Sequence, residues 1–322
     1  MNPSSLYAHI DDDMRSVDDV VRRSLHSDVV LVRQVAEYII SAGGKRMRPA
    51  LLLLAARACG YEGKAHHELA AVVEFIHTAT LLHDDVVDES SLRRGRTTAN
   101  AVFGNAASVL VGDFLYSRAF QMMVGVGSMR VMETLADATN VIAEGEVLQL
   151  MNCGNADVSI DEYLRVIRFK TAKLFEAAGR LGAIISNSDA ATEQALAAYG
   201  MHLGTAFQII DDVLDYSGLE ADTGKHLGDD LAEGKPTLPL IHVIQQGSAE
   251  QSAIVRRALE NADRESFSDV IRVVNESGAL EASRAWGAAE AKSAKSALAS
   301  LVDSKYRQRL LEFADFAVAR QF

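Results

Sequence analysis

Proline is scarce in this 322-residue sequence, cysteine is nearly absent, basic residues fall short of acidic ones, and no long uninterrupted apolar run occurs. Average usage of about 5% would place about 16 prolines in a chain of this length, yet there are four: Pro3, Pro49, Pro236 and Pro239. Residues 50–235 and 240–322 contain none. Proline breaks helix interiors and is common in turns, so this absence excludes a turn-rich architecture and predicts an all-α fold of long helices with short connections. The two cysteines, Cys59 and Cys153, have neither metal-ligand spacing nor disulfide-scaffold density. They fit a reducing, cytoplasmic setting. With 32 Lys and Arg against 44 Asp and Glu, the net charge of −12 excludes the basic surface that a nucleic-acid partner demands. No apolar run reaches the about 20 residues that span a bilayer, and Met1 to Asp13 is polar and acidic, unlike a signal peptide. A soluble chain is expected. Without a basic amphipathic segment, membrane contact is peripheral at most.

Apolar residues then recur at helical spacing. Leu69, Val72, Val73, Ile76 and Thr80 form one stripe and Phe75, Ala79, Leu82 and Val86 a second, which predicts a helix buried on most sides. Comparable patterns cover 29–41, 105–124, 129–150, 160–185, 189–217, 237–246, 250–261, 279–301 and 306–320, with no strand-like alternation. Polar or Gly-rich breaks near 41–48, 89–98, 152–159 and 218–236 are too short or too charged to be interdomain linkers. A single domain over 1–322 follows as the expectation. The acidic run Asp11 to Asp13 lies in a polar segment and reads as solvated surface.

One short pattern appears twice: Asp84, Asp85 and Asp88 in LLHDDVVDES, and Asp211, Asp212 and Asp215 in FQIIDDVLDYSG. At about 100° per residue, Asp84 and Asp88 lie within about 40° of each other on a helix. His77 falls on the same stripe, and Gln208, Asp211 and Asp215 share a face in the second copy. Paired carboxylates on one face repel unless a cation sits between them. Hard oxygen ligands of this kind suit Mg²⁺, which keeps waters and accepts phosphate oxygens. Both copies interrupt strongly apolar helices near their C-terminal ends, where an acid opposes the helix dipole. Two such placements at the same spacing point to metal. Positive charge clusters beside them: Lys45, Arg46 and Arg48 after two glycines, Arg93, Arg94 and Arg96 just past the first motif, Lys170 with Thr171, and Lys225 and Lys235 around an acidic loop. Metal-binding carboxylates flanked by Lys and Arg predict a pocket for two diphosphates, one metal-bridged and one held by cations alone.

The segments GGKRMRP, LLHDDVVDES followed by RRG, FKTAKLFEAA, GTAFQIIDDVLDY and GKPTLPLI together resemble the trans-isoprenyl diphosphate synthase family over nearly the whole chain. GDFLYSRAFQMM and TNVIAEGEVLQLMN resemble its bacterial octaprenyl branch. The resemblance implies the isoprenoid synthase fold, a single large all-α helical bundle around a central catalytic cavity, and a homodimer. It also implies Mg²⁺-dependent, repeated condensation of isopentenyl diphosphate onto an allylic diphosphate such as farnesyl diphosphate, supplying a ubiquinone or menaquinone side chain. On the matching positions, Lys45, Arg48, His77 and Arg94 would hold isopentenyl diphosphate. Asp84 and Asp88, with Asp211 and Asp215 on the opposite wall, would ligate three Mg²⁺. Arg93, Lys170, Thr171, Gln208, Lys225 and Lys235 would contact the allylic diphosphate, and Asp84, Asp88, Arg93, Lys170, Asp211 and Lys225 would carry catalysis.

The growing product would run back along the helix from Asp84, past Thr80 and Ala79, where short-chain members of the family carry aromatic residues. Ile76 and Val73 lie deeper, with Phe120 or Met123 as a floor. Small side chains at Ala79 and Thr80 predict a long product. Three competing readings weaken on inspection. A helical phosphohydrolase built on His83 and Asp84 leaves the second acidic motif unexplained. A di-iron bundle needs a second Glu-x-x-His beyond Glu74 and His77. A noncatalytic subunit of a heteromeric synthase would not need both motifs intact.

Overall fold

Pro49 and Pro239 stand in the first turns of their helices, Met47–Ala58 and Leu238–Gln246, where a missing N–H costs nothing. The computed structural model describes residues 7–217 and 227–320, and Pro3 lies outside them. In chain order the helices are α1 (Asp11–Ser24), α2 (Val30–Ser41), α3 (Met47–Ala58), α4 (Ala65–Val87), α5 (Ala99–Phe103), α6 (Asn105–Gly125), α7 (Met129–Asn152) and α8 (Ile160–Ile167). There follow α9 (Lys173–Ile185), α10 (Ala190–Ser217), α11 (Asp229–Ala232), α12 (Leu238–Gln246), α13 (Ala249–Glu260), α14 (Phe267–Glu276), α15 (Ala279–Ala297) and α16 (Lys305–Ala319). The fold is all-α, as the proline distribution requires. None of the described helices is long and apolar enough to cross a membrane.

Contacts divide the chain into two compact units. The first comprises residues 1–139, 174–200 and 295–313. At its centre α4 packs along α6 and against α3 and α1. Residues 50–56 of α3 are all fully buried, as are Leu69 to Val73, Phe75, Ile76, Ala79 and Leu82 of α4. A helix apolar all round is a core helix. The second unit comprises residues 140–173, 201–294 and 314–322. Its largest cluster gathers Val213, Tyr216, Leu240, Val243, Val255, Leu259, Val270 and Val273, where α12, α13 and α14 meet. Capping boxes at Ser159 with Glu162 and at Ser248 with Gln251 fix the starts of α8 and α13.

Three local features depart from the sequence expectations. A two-stranded hairpin, β1 (Leu92–Arg93) and β2 (Arg96–Thr97), pairs Leu92 with Thr97 and Arg93 with Arg96 where no strand is predicted. Its loop is Arg94–Gly95, at φ of +54° and +71°, the two left-handed positions of a tight hairpin turn. The helix expected over 160–185 is interrupted by a π-helical turn at Arg168–Ala172, between α8 and α9. Such turns insert one residue and frequently mark functional sites.

The third departure is Asp13, expected at a solvated surface and found 7% exposed. Arg57 clasps it with two hydrogen bonds, Nε to Oδ2 at 2.9 Å and Nη2 to Oδ1 at 2.6 Å, and His66 and His67 reach Oδ1 at 3.2 and 2.8 Å. Asp13, His66 and His67 form the group among the described residues close enough to share a metal ion. The guanidinium already supplies the cation and takes part of both oxygens. Burial pulls the Asp13 carboxyl upward, but the bonds from His66, Arg57 and His67 outweigh it and hold the group far below the carboxylate range. A depressed carboxyl stabilises the fold at pH above its unfolded pKa and loses that contribution as the pH falls below it. Asp13→Asn is therefore expected to destabilise the protein by about 3 kcal/mol at neutral pH, with the difference from the parent shrinking below about pH 4 in urea unfolding.

Candidate functional site: two acidic motifs and their cations

The first acidic motif closes α4. Asp84 and Asp88 are half-buried while Asp85 is fully buried, so the outer pair meets solvent and the middle carboxylate meets protein. Asp85 Oδ1 accepts Arg93 Nε at 2.6 Å, and its carbonyl accepts Asn100 Nδ2 at 3.0 Å. The hairpin delivers this arginine: β1 leaves the end of α4 and returns through Thr98, whose N–H bonds the Ser91 carbonyl at 3.1 Å. Burial raises the Asp85 carboxyl, with the Arg93 charge in partial opposition. Its Oδ2 is a buried oxygen with no hydrogen-bond partner among the described residues.

The basic residues of this unit separate into distinct roles. Arg46 is absorbed by the fold, ion-paired to Asp18 at 3.5 Å and to the buried Glu74 at 3.4 Å. Arg48 stacks over Phe175 at 4.4 Å and brings Nη1 within 3.3 Å of His77 Nε2. An arginine can only donate, so His77 Nε2 is the acceptor and the imidazole proton sits on Nδ1. Burial, then the charges of Arg48, Arg94, Arg93 and Arg46, push His77 well below its ordinary range. It is a neutral donor. The Lys45 carbonyl accepts the Tyr7 hydroxyl. Arg94 lies over the preceding glycine pair: a Cβ on Gly44 would stand 2.7 Å from its guanidinium carbon. That neighbour is the movable end of a side chain. Gly44 also has a φ of +144°, so Gly44→Ala is expected to strain the backbone as well as displace Arg94, and to lower the unfolding temperature measured by circular dichroism.

The second motif lies in the last turns of α10, in the other unit, and repeats the pattern of the first. Asp211 and Asp215 are half-buried and Asp212 is buried. Asp212 accepts Tyr163 Oη at 2.6 Å and Gln208 Nε2 at 2.7 Å, while Gln208 Oε1 accepts Thr171 Oγ1 at 2.9 Å. Burial first and the nearby Asp230 charge next push the Asp212 carboxyl up, while the bonds from Tyr163 and Gln208 oppose that shift. Asp215 Oδ2 accepts the Asp230 N–H at 3.3 Å. Lys170 and Thr171 both lie in the π-helical turn, and Lys170 Nζ pairs with Glu146 at 2.6 Å. The turn presses against α7, where a Cβ on Gly145 would fall 2.5 Å from the Lys170 nitrogen. Only glycine permits that approach. Lys235 pairs with Glu233, its backbone N–H bonded to the Asp230 carbonyl at 2.8 Å. Lys225 lies outside the described residues.

In both motifs the two outer acids present hard carboxylate oxygens from half-buried positions, while the middle acid is buried and hydrogen-bonded within the protein. That set suits a hard divalent cation that completes its shell with water and phosphate, and not a cation demanding a full protein cage. Residues 29–276 match the family model described as polyprenyl synthetase. The chain belongs to the polyprenyl synthetase family. It is 53% identical over 309 residues to the octaprenyl diphosphate synthase of Escherichia coli K12, covering 96% of each chain. Identity is 50% over 313 residues to that of Haemophilus influenzae, covering 97% of this chain and 95% of the relative. The crystal structure of a polyprenyl synthase from Caulobacter crescentus CB15, complexed with calcium and isoprenyl diphosphate, superposes with a TM-score of 0.97 at 45% identity, covering 100% of this chain and 98% of that one. As a polyprenyl synthetase the chain is a prenyltransferase with the isoprenoid synthase fold, and the phosphohydrolase and di-iron alternatives fall. Of this family member's polar contacts, Glu146, Tyr163 and Asp230 escaped sequence reasoning, because a lone acid or phenol on an amphipathic helix carries no motif.

Proposed function

We propose that this polyprenyl synthetase is an octaprenyl diphosphate synthase, elongating an allylic diphosphate such as farnesyl diphosphate with isopentenyl diphosphate and supplying a quinone side chain. The observation that carries the reading is the repeated arrangement of half-buried outer aspartates around a buried, hydrogen-bonded middle one, in a chain 53% identical to an enzyme of that name. We take residues 1–322 as one catalytic domain, since the family match at 29–276 runs through segments of both units. Asp84, Asp88, Asp211 and Asp215 would hold Mg²⁺, three ions per site. The bound Mg²⁺ supplies positive charge to the diphosphate oxygens as the allylic carbon–oxygen bond breaks.

The protein's own groups do the rest. Arg93, Lys170, Thr171, Gln208, Lys225 and Lys235 bind and orient the allylic diphosphate and stabilise charge that develops on it as it leaves. Lys45, Arg48, Arg94 and the Nδ1–H of His77 hold isopentenyl diphosphate so that its double bond meets the allylic cation. A neutral His77 whose Nε2 already accepts Arg48 is not the base for the final proton. The departed diphosphate takes it. Small residues at Ala79 and Thr80, with Ile76 and Met123 beyond, set product length. Homodimerisation is supported by α6 leaving Leu110 66% exposed and α7 leaving Leu150 and Met151 63% and 72% exposed, large apolar side chains that a second copy would cover. A cytoplasmic location with at most peripheral membrane contact suits two half-buried cysteines that form no disulfide.

Incubation with farnesyl diphosphate, labelled isopentenyl diphosphate and Mg²⁺ tests the reading. A discrete eight-unit polyprenyl diphosphate is expected. Release of phosphate, or a hydrocarbon formed without consuming isopentenyl diphosphate, would overturn it.

A further inference from the structure

Arg320 follows α16, and its side chain is 1% exposed while facing Asp211 of the second acidic motif. Its guanidinium lies 3.8 Å from the ring centroid of Phe207. Nη2 donates to the Phe207 carbonyl at 2.7 Å and Nε to the Ala317 carbonyl at 3.2 Å. Nη1 has no hydrogen-bond acceptor among the described residues and stands 3.7 Å from Asp211 Oδ1. Phe207 and Asp211 are four residues apart on α10, so one turn of helix supplies both the anchor and the acid it faces. Burial pushes the guanidinium down from its ordinary range, yet an arginine stays charged.

The two ends of this contact differ in kind. A ring and two carbonyls hold the guanidinium without any help from Asp211, so the cation stays in place when the carboxylate changes partner. The Asp211 contact itself, at 3.7 Å, is longer than a hydrogen bond and is one of the interactions that this carboxylate makes. A metal ion taken up by Asp211, whose side chain is 35% exposed, would therefore meet the fixed charge of a buried guanidinium at close range. A diphosphate arriving with the metal reverses the balance, because its negative charge is attracted by both cations.

We infer that Arg320 is a positioning residue for Asp211 that makes uptake of a divalent cation at the second acidic motif conditional on diphosphate. This rests on the proposed metal role of Asp211. The site then charges itself only when a substrate headgroup is present.

Mn²⁺ titration of the full chain without prenyl substrates, followed by electron paramagnetic resonance, tests the inference. The proteins are the parent, Arg320→Met, Arg320→Gln, Arg320→Lys, and Arg320→Met combined with Asp211→Asn. The neutral variants are expected to bind substrate-free Mn²⁺ at least about fivefold more tightly than the parent, as loss of a nearby like charge requires. Arg320→Lys should resemble the parent, Asp211→Asn should abolish the gain, and inorganic diphosphate should restore tight Mn²⁺ binding to the parent. Arg320→Gln retains a donor for the Phe207 carbonyl and serves if the methionine variant does not fold. Unchanged affinity in a folded neutral variant, or a gain that survives Asp211→Asn, would overturn the inference. No condensation is needed for this readout, so failure of the functional reading would appear separately, in the product assay.

Discussion

Asp84→Ala is expected to lower kcat by about 10³-fold or more, equivalent to about 4 kcal/mol of transition-state stabilisation at 1.36 kcal/mol per tenfold. Thermal unfolding should shift little, because Asp84 is half-buried at the end of α4 and its loss opens no core cavity. Asp85→Ala should behave differently. It removes the partner of Arg93 Nε and leaves a guanidinium facing an emptied, buried site, so both stability and activity should fall. Measuring labelled isopentenyl diphosphate incorporation beside unfolding temperature separates the two. Full activity in Asp84→Ala would refute the metal assignment for the first motif.

The contrast between adjacent aspartates marks a limit of sequence reading. Helical spacing alone groups Asp84 with Asp88 and Asp211 with Asp215, and the solvent exposure of the described residues follows that grouping. It could not say what the middle acids do, because Asp85 is answered by a hairpin eight residues on and Asp212 by Tyr163, 49 residues back. Helices with one apolar stripe were legible to within two residues at most ends, as at 105–124 against Asn105–Gly125. The helix Met47–Ala58 was not, since a run of LLLLAA is apolar on every face and leaves no period to detect. Asp11–Ser24 escaped for the opposite reason. Its buried stripe of Asp13, Val17, Val20 and Val21 begins with an acid, and the residue that neutralises that acid lies 44 positions away. The π-helical turn carries no sequence signal of its own, yet it holds Lys170 and Thr171, and Gly145 is the trace it leaves elsewhere in the chain. Arg320 lay beyond every motif.

Product length gives the second large effect. At 1.5 Å per residue, Ala79 lies about 7.5 Å along α4 from Asp84, Ile76 about 12 Å and Val73 about 16 Å. All three are fully buried, as are Leu115, Ala119 and Met123 of α6, the helix that packs along α4. Ala79→Tyr is expected to cut the product from eight isoprene units to three or four, because a phenol ring would stand where the growing chain must pass. Overpacking should cost about 1–3 kcal/mol of stability, which a core of this size tolerates. Thr80, half-buried with its hydroxyl on the His77 carbonyl at 2.8 Å, offers a second position about one turn before Asp84, on the neighbouring stripe of α4. Thr80→Phe should also shorten the product, with less effect on packing. Reversed-phase chromatography of the dephosphorylated products reads both variants. If Ala79 serves only close helix packing, folded variants would retain the eight-unit product, and the assignment of the elongation path to the α4 and α6 helices would be wrong.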